Sequence, residues 1–314
     1  MSKFFVVGDV TADLMYFVKA LPEAGGEVTV TRAVTEPGGA GGTIATALAR
    51  LGHEVTIATC IGKGPFSELA LKNVLEAGVD ISQVQRDPDL QTGSVILLIT
   101  PDAQRTMISS TGASRNLDAA YLKADAITSC DALVMSAYSL VGGLQREYAV
   151  KALSIARQAG LTTFIDMGSG AVNALQDRLI SLVQNVDYIL MNQKELYTLT
   201  GQDSISDAIE ELALEGIQRV IVKVGEMGSI VVTPELNELV EALEIDGVLD
   251  STGAGDYYTA AFAHGILTGH DLQHAALLGN VAGALNTTAV GAQKVVVTDE
   301  MLEQYAEEMM ALDH

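Results

Sequence analysis

From Phe4 to Val224 the chain alternates short apolar runs with stretches of helical spacing, and that rhythm sets most of the fold. The runs Phe4–Gly8, Val55–Ile61, Leu133–Ser136, Thr162–Asp166, Tyr188–Met191 and Val220–Val224 are rich in neighbouring apolar residues rather than alternating with polar ones. A strand of that kind needs cover on both faces. Helical patterns lie between them at Thr43–Leu51, Phe66–Ala77, Leu144–Ala159 and Ser204–Glu215, and two more follow at Ala254–Leu267 and Leu272–Thr287. The alternation predicts an α/β fold with a largely parallel sheet between two helical layers.

Two segments break the rhythm. Thr11–Thr35 holds the strand-like runs Leu14–Val18 and Val28–Val34 on either side of Pro22 and Gly25-Gly26. Thr92–Ser109 holds Ser94–Thr100 and Arg105–Ser109 around a turn at Pro101-Asp102-Ala103. Both read as β-hairpins inserted into the α/β body. Together, as segments of about 11–35 and 92–110, they predict a small sheet covering a cleft. No repeat or Ser/Gly linker divides the chain, so a single domain over 1–314 is expected.

Composition narrows the function. A hydrophobic content of 48% and a mean hydropathy of +0.28 describe a globular chain. No apolar stretch reaches the ~18–20 residues of a membrane span, and the N-terminal run is too short for a signal peptide. A cytoplasmic protein with Cys60 and Cys130 as free thiols is expected. The net charge of −22, from 18 basic and 40 acidic residues, argues against nucleic acid or an anionic membrane as partner. A bound polyphosphate would need Mg²⁺ and backbone N–H groups where other proteins use Lys and Arg. Near the C-terminus, Met301, Leu302, Tyr305 and Met309 are spaced as one face of a helix whose acidic residues include Asp299, Glu300, Glu303, Glu307, Glu308 and Asp313.

The segment with most chemistry is Asp250-Ser-Thr-Gly-Ala-Gly-Asp256, followed by the apolar run Tyr257–Leu267. Gly253, Ala254 and Gly255 let a ligand approach the backbone, and a helix starting behind them offers free N–H groups and a favourable dipole to an anion. Asp256 would repel that anion. Its carboxylate makes sense there as the base that takes a proton from a hydroxyl attacking phosphorus. The five histidines lack metal-ligand spacing. The pair His270 and His274 has no third ligand near it in sequence and reads as two exposed helix residues.

Six motifs in order resemble the ribokinase-like (PfkB) family of carbohydrate and nucleoside kinases, from Val6 to about Gln293. They are Gly8–Leu14; Pro37–Ala45 with Arg50-Leu51-Gly52; Asn192-Gln193-Lys194-Glu195 with Leu199-Thr200-Gly201; Val222–Gly228; Asp250–Asp256; and Asn280–Gly283 with Gly291-Ala292. The resemblance implies a three-layer α/β/α, Rossmann-like body with a β-lid made by the two hairpins. It implies transfer of the ATP γ-phosphoryl to a sugar hydroxyl, with Asp256 as base and the N–H groups of Ala254, Gly255 and Asp256 as anion hole. Asp13, Thr11, Gly38, Gly39 and Thr43 would line the substrate site, where Asp13 has turn capping as an alternative role. Asn192, Lys223, Gly225, Gly228, Asn280 and Gly283 would serve ATP, and Glu195 would act on Mg²⁺ through water. Lys223 either faces phosphate or closes its strand. Arg105, in the second hairpin, either reaches the substrate or stands on an exposed strand. A monovalent cation such as K⁺ would meet Asp250 and Thr252 and the carbonyls near Thr287, Val290 and Ala292. Family members often form homodimers through the lid.

The departures from ribokinases proper fall on the sugar. Thr11, Ala40 and Thr43 stand where those proteins carry Asn, Lys and Asn, and Tyr138 replaces a ribose-contacting Glu. Each lost hydrogen bond to a buried hydroxyl removes roughly 1–3 kcal/mol, so free ribose is disfavoured against another sugar, a sugar acid or a nucleoside. A catalytically silent sugar sensor would keep this fold but has no use for Asp256. A nicotinamide oxidoreductase would need Gly-x-Gly-x-x-Gly after the first strand, which Gly8–Asp13 lacks.

Overall fold

The computed structural model describes residues 1–102 and 105–312. Ala103 of the expected turn, and Asp313 and His314, lie outside the described residues. The strands are β1 (Lys3–Val7), β2 (Thr11–Phe17), β3 (Arg32–Gly38), β4 (Glu54–Lys63), β5 (Asp80–Gln91), β6 (Ser94–Ile99), β7 (Arg105–Ser110), β8 (Ala132–Ser136), β9 (Thr162–Asp166), β10 (Tyr188–Asn192), β11 (Val220–Lys223), β12 (Ser229–Val232) and β13 (Asn237–Val240). The helices are α1 (Ala40–Arg50), α2 (Phe66–Glu76), α3 (Ala124–Thr128), α4 (Gly143–Gln158), α5 (Ser169–Leu175), α6 (Asp177–Val183), α7 (Gln193–Thr200), α8 (Ile205–Leu214), α9 (Ala254–Thr268), α10 (Leu272–Asn286) and α11 (Asp299–Leu312).

Among the described residues one sheet has the order β13-β12-β11-β10-β9-β8-β1-β4-β5. It is parallel from β5 to β11, and β12 and β13 extend it antiparallel. The apolar runs are continuous because both faces are covered. Phe4 and Val6 pack into one layer with α1, α2, α9, α10 and α11, while Phe5 and Val7 pack into the other with α3 to α8. The chain leaves β1 for β4 on one side and later returns to β8 on the other, so the order reverses between β1 and β8. In an open α/β sheet, ligands bind outside the carboxyl ends of the strands at such a reversal.

The second sheet has the order β3-β2-β6-β7 and comes from the two segments that broke the rhythm. The second strand of the first hairpin is Arg32–Gly38 rather than 28–34. Thr31 sets this register: its N–H and hydroxyl both donate to the Phe17 carbonyl, at 2.7 and 2.9 Å, and the pairing runs from Phe17↔Arg32 to Thr11↔Gly38. Pro37, which has no N–H to donate, is tolerated because β3 is an edge.

Helix α1 starts at Ala40, three residues before the expected Thr43, and takes the glycine run into its first turn. A Cβ on Gly41 would stand 2.5 Å from the Gly8 backbone, and Gly42 donates its N–H to the Asp9 carbonyl (3.0 Å). These glycines therefore let a helix lie directly on the end of β1. At the opposite end of the body, the Ser2 N–H donates to His53 Nδ1 (3.1 Å), His53 Nε2 meets His264 Nδ1 (2.8 Å), and His264 Nε2 meets Asp299 (2.9 Å). Cys60 and Cys130 are both free thiols.

Candidate functional site

Five neighbouring parallel strands end on one side of the sheet, and each delivers a polar residue there. Asp9 follows β1, Tyr138 follows β8, Asp166 ends β9, Asn192 ends β10 and Lys223 ends β11. Helix α9 meets this row with its N-terminus. Gly253, at φ +81°, turns the chain into the helix, and Asp256 lies in the first turn. The Ala254 N–H turns back to the Ser251 carbonyl (3.3 Å), while the N–H groups of Gly255 and Asp256 have no acceptor among the described residues. The two orphan donors leave an anion-binding corner beside the carboxylate.

Charge around Asp256 is dense. Burial raises its pKa well above the usual carboxylate range, Asp166, Asp13 and Glu195 push the same way, and Lys223 opposes them. Yet the residue is only half-buried, so solvent still reaches it. Lys223 Nζ bonds Asp166 at 2.6 Å and lies 3.4 Å from the Gly255 carbonyl. Burial alone would lower the Lys223 pKa, but Asp166, Glu195 and Asp256 outweigh it and raise the value. Three carboxylates thus act on one ammonium, Asp166 in direct contact and Glu195 and Asp256 through their charge. That surplus of negative oxygen suits a hard divalent cation.

Asn192 and Glu195 are committed to each other. Asn192 accepts from the Glu195 N–H (2.9 Å), and Glu195 accepts from the Asn192 N–H (2.9 Å) and from the Ser169 hydroxyl (2.9 Å). The Asn-x-x-Glu motif is therefore the capping box that starts α7. It holds Glu195 nearly buried, with 5% of its surface exposed, at the edge of the acidic group.

Asp13 faces Thr11 and Gly38. The Thr11 hydroxyl donates to its carboxylate (2.8 Å), and a Cβ on Gly38 would collide with that carboxylate. Gly39 caps α1 at φ +85°. Thr43 is fully buried, donating to the Gly39 carbonyl (3.0 Å) and accepting from Gln293 (3.3 Å). Tyr138 is 37% exposed, lies against Gly168 and Gly170, and accepts from the Gly170 N–H (3.3 Å). Arg105 opens β7, and its side chain reaches from the small sheet to the α/β body, donating to the Thr252 hydroxyl (2.9 Å) 4.0 Å from the Asp250 carboxylate. Gly225 and Gly228 flank the turn after β11. The Asn280 amide donates to the carbonyls of Val240 and Glu241 (2.9 and 3.0 Å), and Gly283 faces the Ala254 carbonyl.

Two members of the row escaped the sequence reading. Asp166 stands in the sequence only as the last residue of an apolar strand. Asp9 accepts from Gln145 (2.5 Å), with burial raising its pKa and that bond opposing, and nothing in the local sequence joins residues 136 positions apart.

Residues 1–299 match the family described as pfkB family carbohydrate kinase. A deoxyribokinase of Salmonella typhi is 24% identical over 96% of this chain and 97% of its own. An adenosine kinase of Sinorhizobium meliloti superposes with a TM-score of 0.86 at 21% identity, covering 98% of this chain and 99% of its own. An Escherichia coli protein solved with ATP and Mg²⁺ gives 0.84 at 23% identity, covering 98% and 100%. At these identities the two structures establish a shared fold.

Proposed function

Because the chain belongs to the pfkB family of carbohydrate kinases, we propose that it transfers the ATP γ-phosphoryl group to a hydroxyl of a sugar-like acceptor with Asp256 as base. The observation that carries this reading is the pairing of Asp256 with the unpartnered N–H groups of Gly255 and Asp256 in one helical turn. The acceptor hydroxyl gives its proton to Asp256, and its oxygen bonds to the γ-phosphorus. The bond from that phosphorus to the bridging oxygen breaks, and ADP leaves with the electron pair. The two N–H groups and Lys223 face the charge that develops. The acidic group fits Mg²⁺, with Glu195 acting through water, and the ion would neutralise phosphate oxygens as they approach. Asn192, Gly225, Gly228, Asn280 and Gly283 shape the ATP side; Asn280 and Gly283 act by fixing the 240–241 loop and the α9–α10 contact.

The acceptor lies between Asp13 and Tyr138, under the small sheet acting as a lid. Thr43 shapes this pocket through Gly39 and Gln293 rather than by presenting its own hydroxyl. The exposed Tyr138 ring favours a second reading, a nucleoside acceptor whose base would stack on it. The test is ADP release with ATP and Mg²⁺ across sugars, sugar acids and nucleosides, run beside Asp256→Asn. The variant should keep ATP binding and lose turnover by about 10²–10⁴-fold. Undiminished turnover would remove Asp256 as base, and a strong nucleoside acceptor would select the second reading.

Three of the positions expected to hold K⁺, Asp250, Thr252 and the Thr287 carbonyl, already have partners. Asp250 accepts from the Thr252 N–H and hydroxyl (2.9 and 2.6 Å) and from the Gly291 N–H (2.9 Å). The Thr287 carbonyl takes two N–H groups, and Arg105 brings a guanidinium to Thr252. Arg105 therefore supplies the positive charge beside Asp250 when the lid is down, and K⁺ added to a choline buffer should activate the wild-type protein little. Strong activation would overturn this assignment. The lid edge β7, with Met107 and Ile108 exposed, also suits pairing between two copies. Light scattering of the wild type against Met107→Lys decides that question.

A further inference from the structure

At the C-terminal end of α9, opposite Gly253, lies a group of side chains that phosphoryl transfer does not use. The 15 residues of that helix put about 20 Å between it and the anion-binding corner. There, His270 Nε2 stands 3.2 Å from one oxygen of Glu303, and His274 Nε2 stands 3.0 Å from the other. The imidazole rings stack with centroids 4.3 Å apart and planes 13° from parallel. One donor atom from each residue falls within 4.8 Å of the other two.

We propose that His270, His274 and Glu303 bind a divalent transition-metal ion of the zinc class, tying the start of α10 to α11. The sequence hid this site because its third ligand comes from another helix, 29 positions beyond His274. Two imidazole nitrogens and one carboxylate oxygen are a common zinc donor set, leaving a fourth position for water. Imidazole also separates this site from the kinase centre, since Mg²⁺ prefers an all-oxygen shell.

The ligands stand on fixed backbone. The His270 N–H is held by the Gly265 carbonyl at the end of α9 (3.0 Å). Asp271 caps α10 and accepts from the His274 N–H (2.8 Å). Glu303 is one turn into α11, whose Leu302 and Ala306 are buried in the core. The three residues are each only part-buried, so an ion can enter. Without metal, the two Nε2–H groups can donate to the two oxygens of Glu303. To take an ion, each ring adopts the tautomer protonated at Nδ1 and turns out of the stack, so that both Nε2 lone pairs and a Glu303 oxygen face the metal.

The test uses chelator-stripped full-length protein, titrated calorimetrically with Zn²⁺ in the presence of saturating Mg²⁺. One ion should bind, and the melting temperature should rise. His274→Ala and Glu303→Gln should each weaken binding by at least about tenfold. Both variants should keep wild-type melting without metal and unchanged phosphoryl transfer, which separates ligand loss from misfolding. Equal affinity in the His270→Ala/His274→Ala double variant would overturn the site. So would the absence of heat and of a melting shift in the wild type with Zn²⁺ in large excess.

Discussion

Asp13 is held in surroundings that disfavour its charge. Burial raises its pKa to about 6; the Thr11 hydroxyl opposes the rise and Asp250 adds to it. The folded value lies above the unfolded one, so the folded form binds the extra proton more tightly. This contribution to stability is complete below the unfolded value and is lost as pH rises through about 6. Ionised at neutral pH, the group costs up to about 3 kcal/mol. Asp13→Asn should therefore melt higher than the wild type near pH 8, with little difference near pH 4, and its KM for the acceptor should rise. A lower melting temperature near pH 8 would mean that the carboxylate is stabilised by a contact other than Thr11.

At the scale of elements, the glycine run shows how packing decides a boundary. Gly41 exists for contact with Gly8, so Gly41→Ala should push α1 from β1 and destabilise the fold by more than about 2 kcal/mol, read by urea unfolding. A neutral result would show that the helix can slide. The sequence reveals the central strands almost to the residue because burial on both faces leaves a local apolar signature. It does not reveal β5, whose Asp-Ile-Ser-Gln-Val-Gln-Arg-Asp-Pro-Asp-Leu-Gln is written for an exposed edge and carries the charges and proline that block pairing with other chains. The Asn192–Glu195 motif is legible, but as a phosphate and Mg²⁺ motif; its capping role needs the start of α7 to be seen. Asp256 and its turn are legible because they are contiguous. Asp9 with Gln145, Lys223 with Asp166, and Glu303 with the two histidines are long-range pairings that no local pattern encodes.

At the scale of the whole molecule, a net charge of −22 repels nucleotide. Raising ionic strength with choline chloride from about 20 to about 150 mM, where the screening length falls to about 8 Å, should lower KM for the Mg²⁺–nucleotide complex severalfold. An unchanged KM would mean that the local field at Gly255 and Lys223 outweighs the global one. The contact between Ser2, His53, His264 and Asp299 also acts at this scale, because it joins the residue before β1, the residue before β4, α9 and α11. A backbone N–H can only donate, so His53 Nδ1 must accept, His53 Nε2–H must donate to His264, and His264 Nε2–H must donate to Asp299. The chain is thus a one-way sentence: four remote stretches of sequence must agree on its grammar, and a replacement that accepts at one end and donates at the other, as Gln does, preserves the meaning where Leu of similar bulk would not.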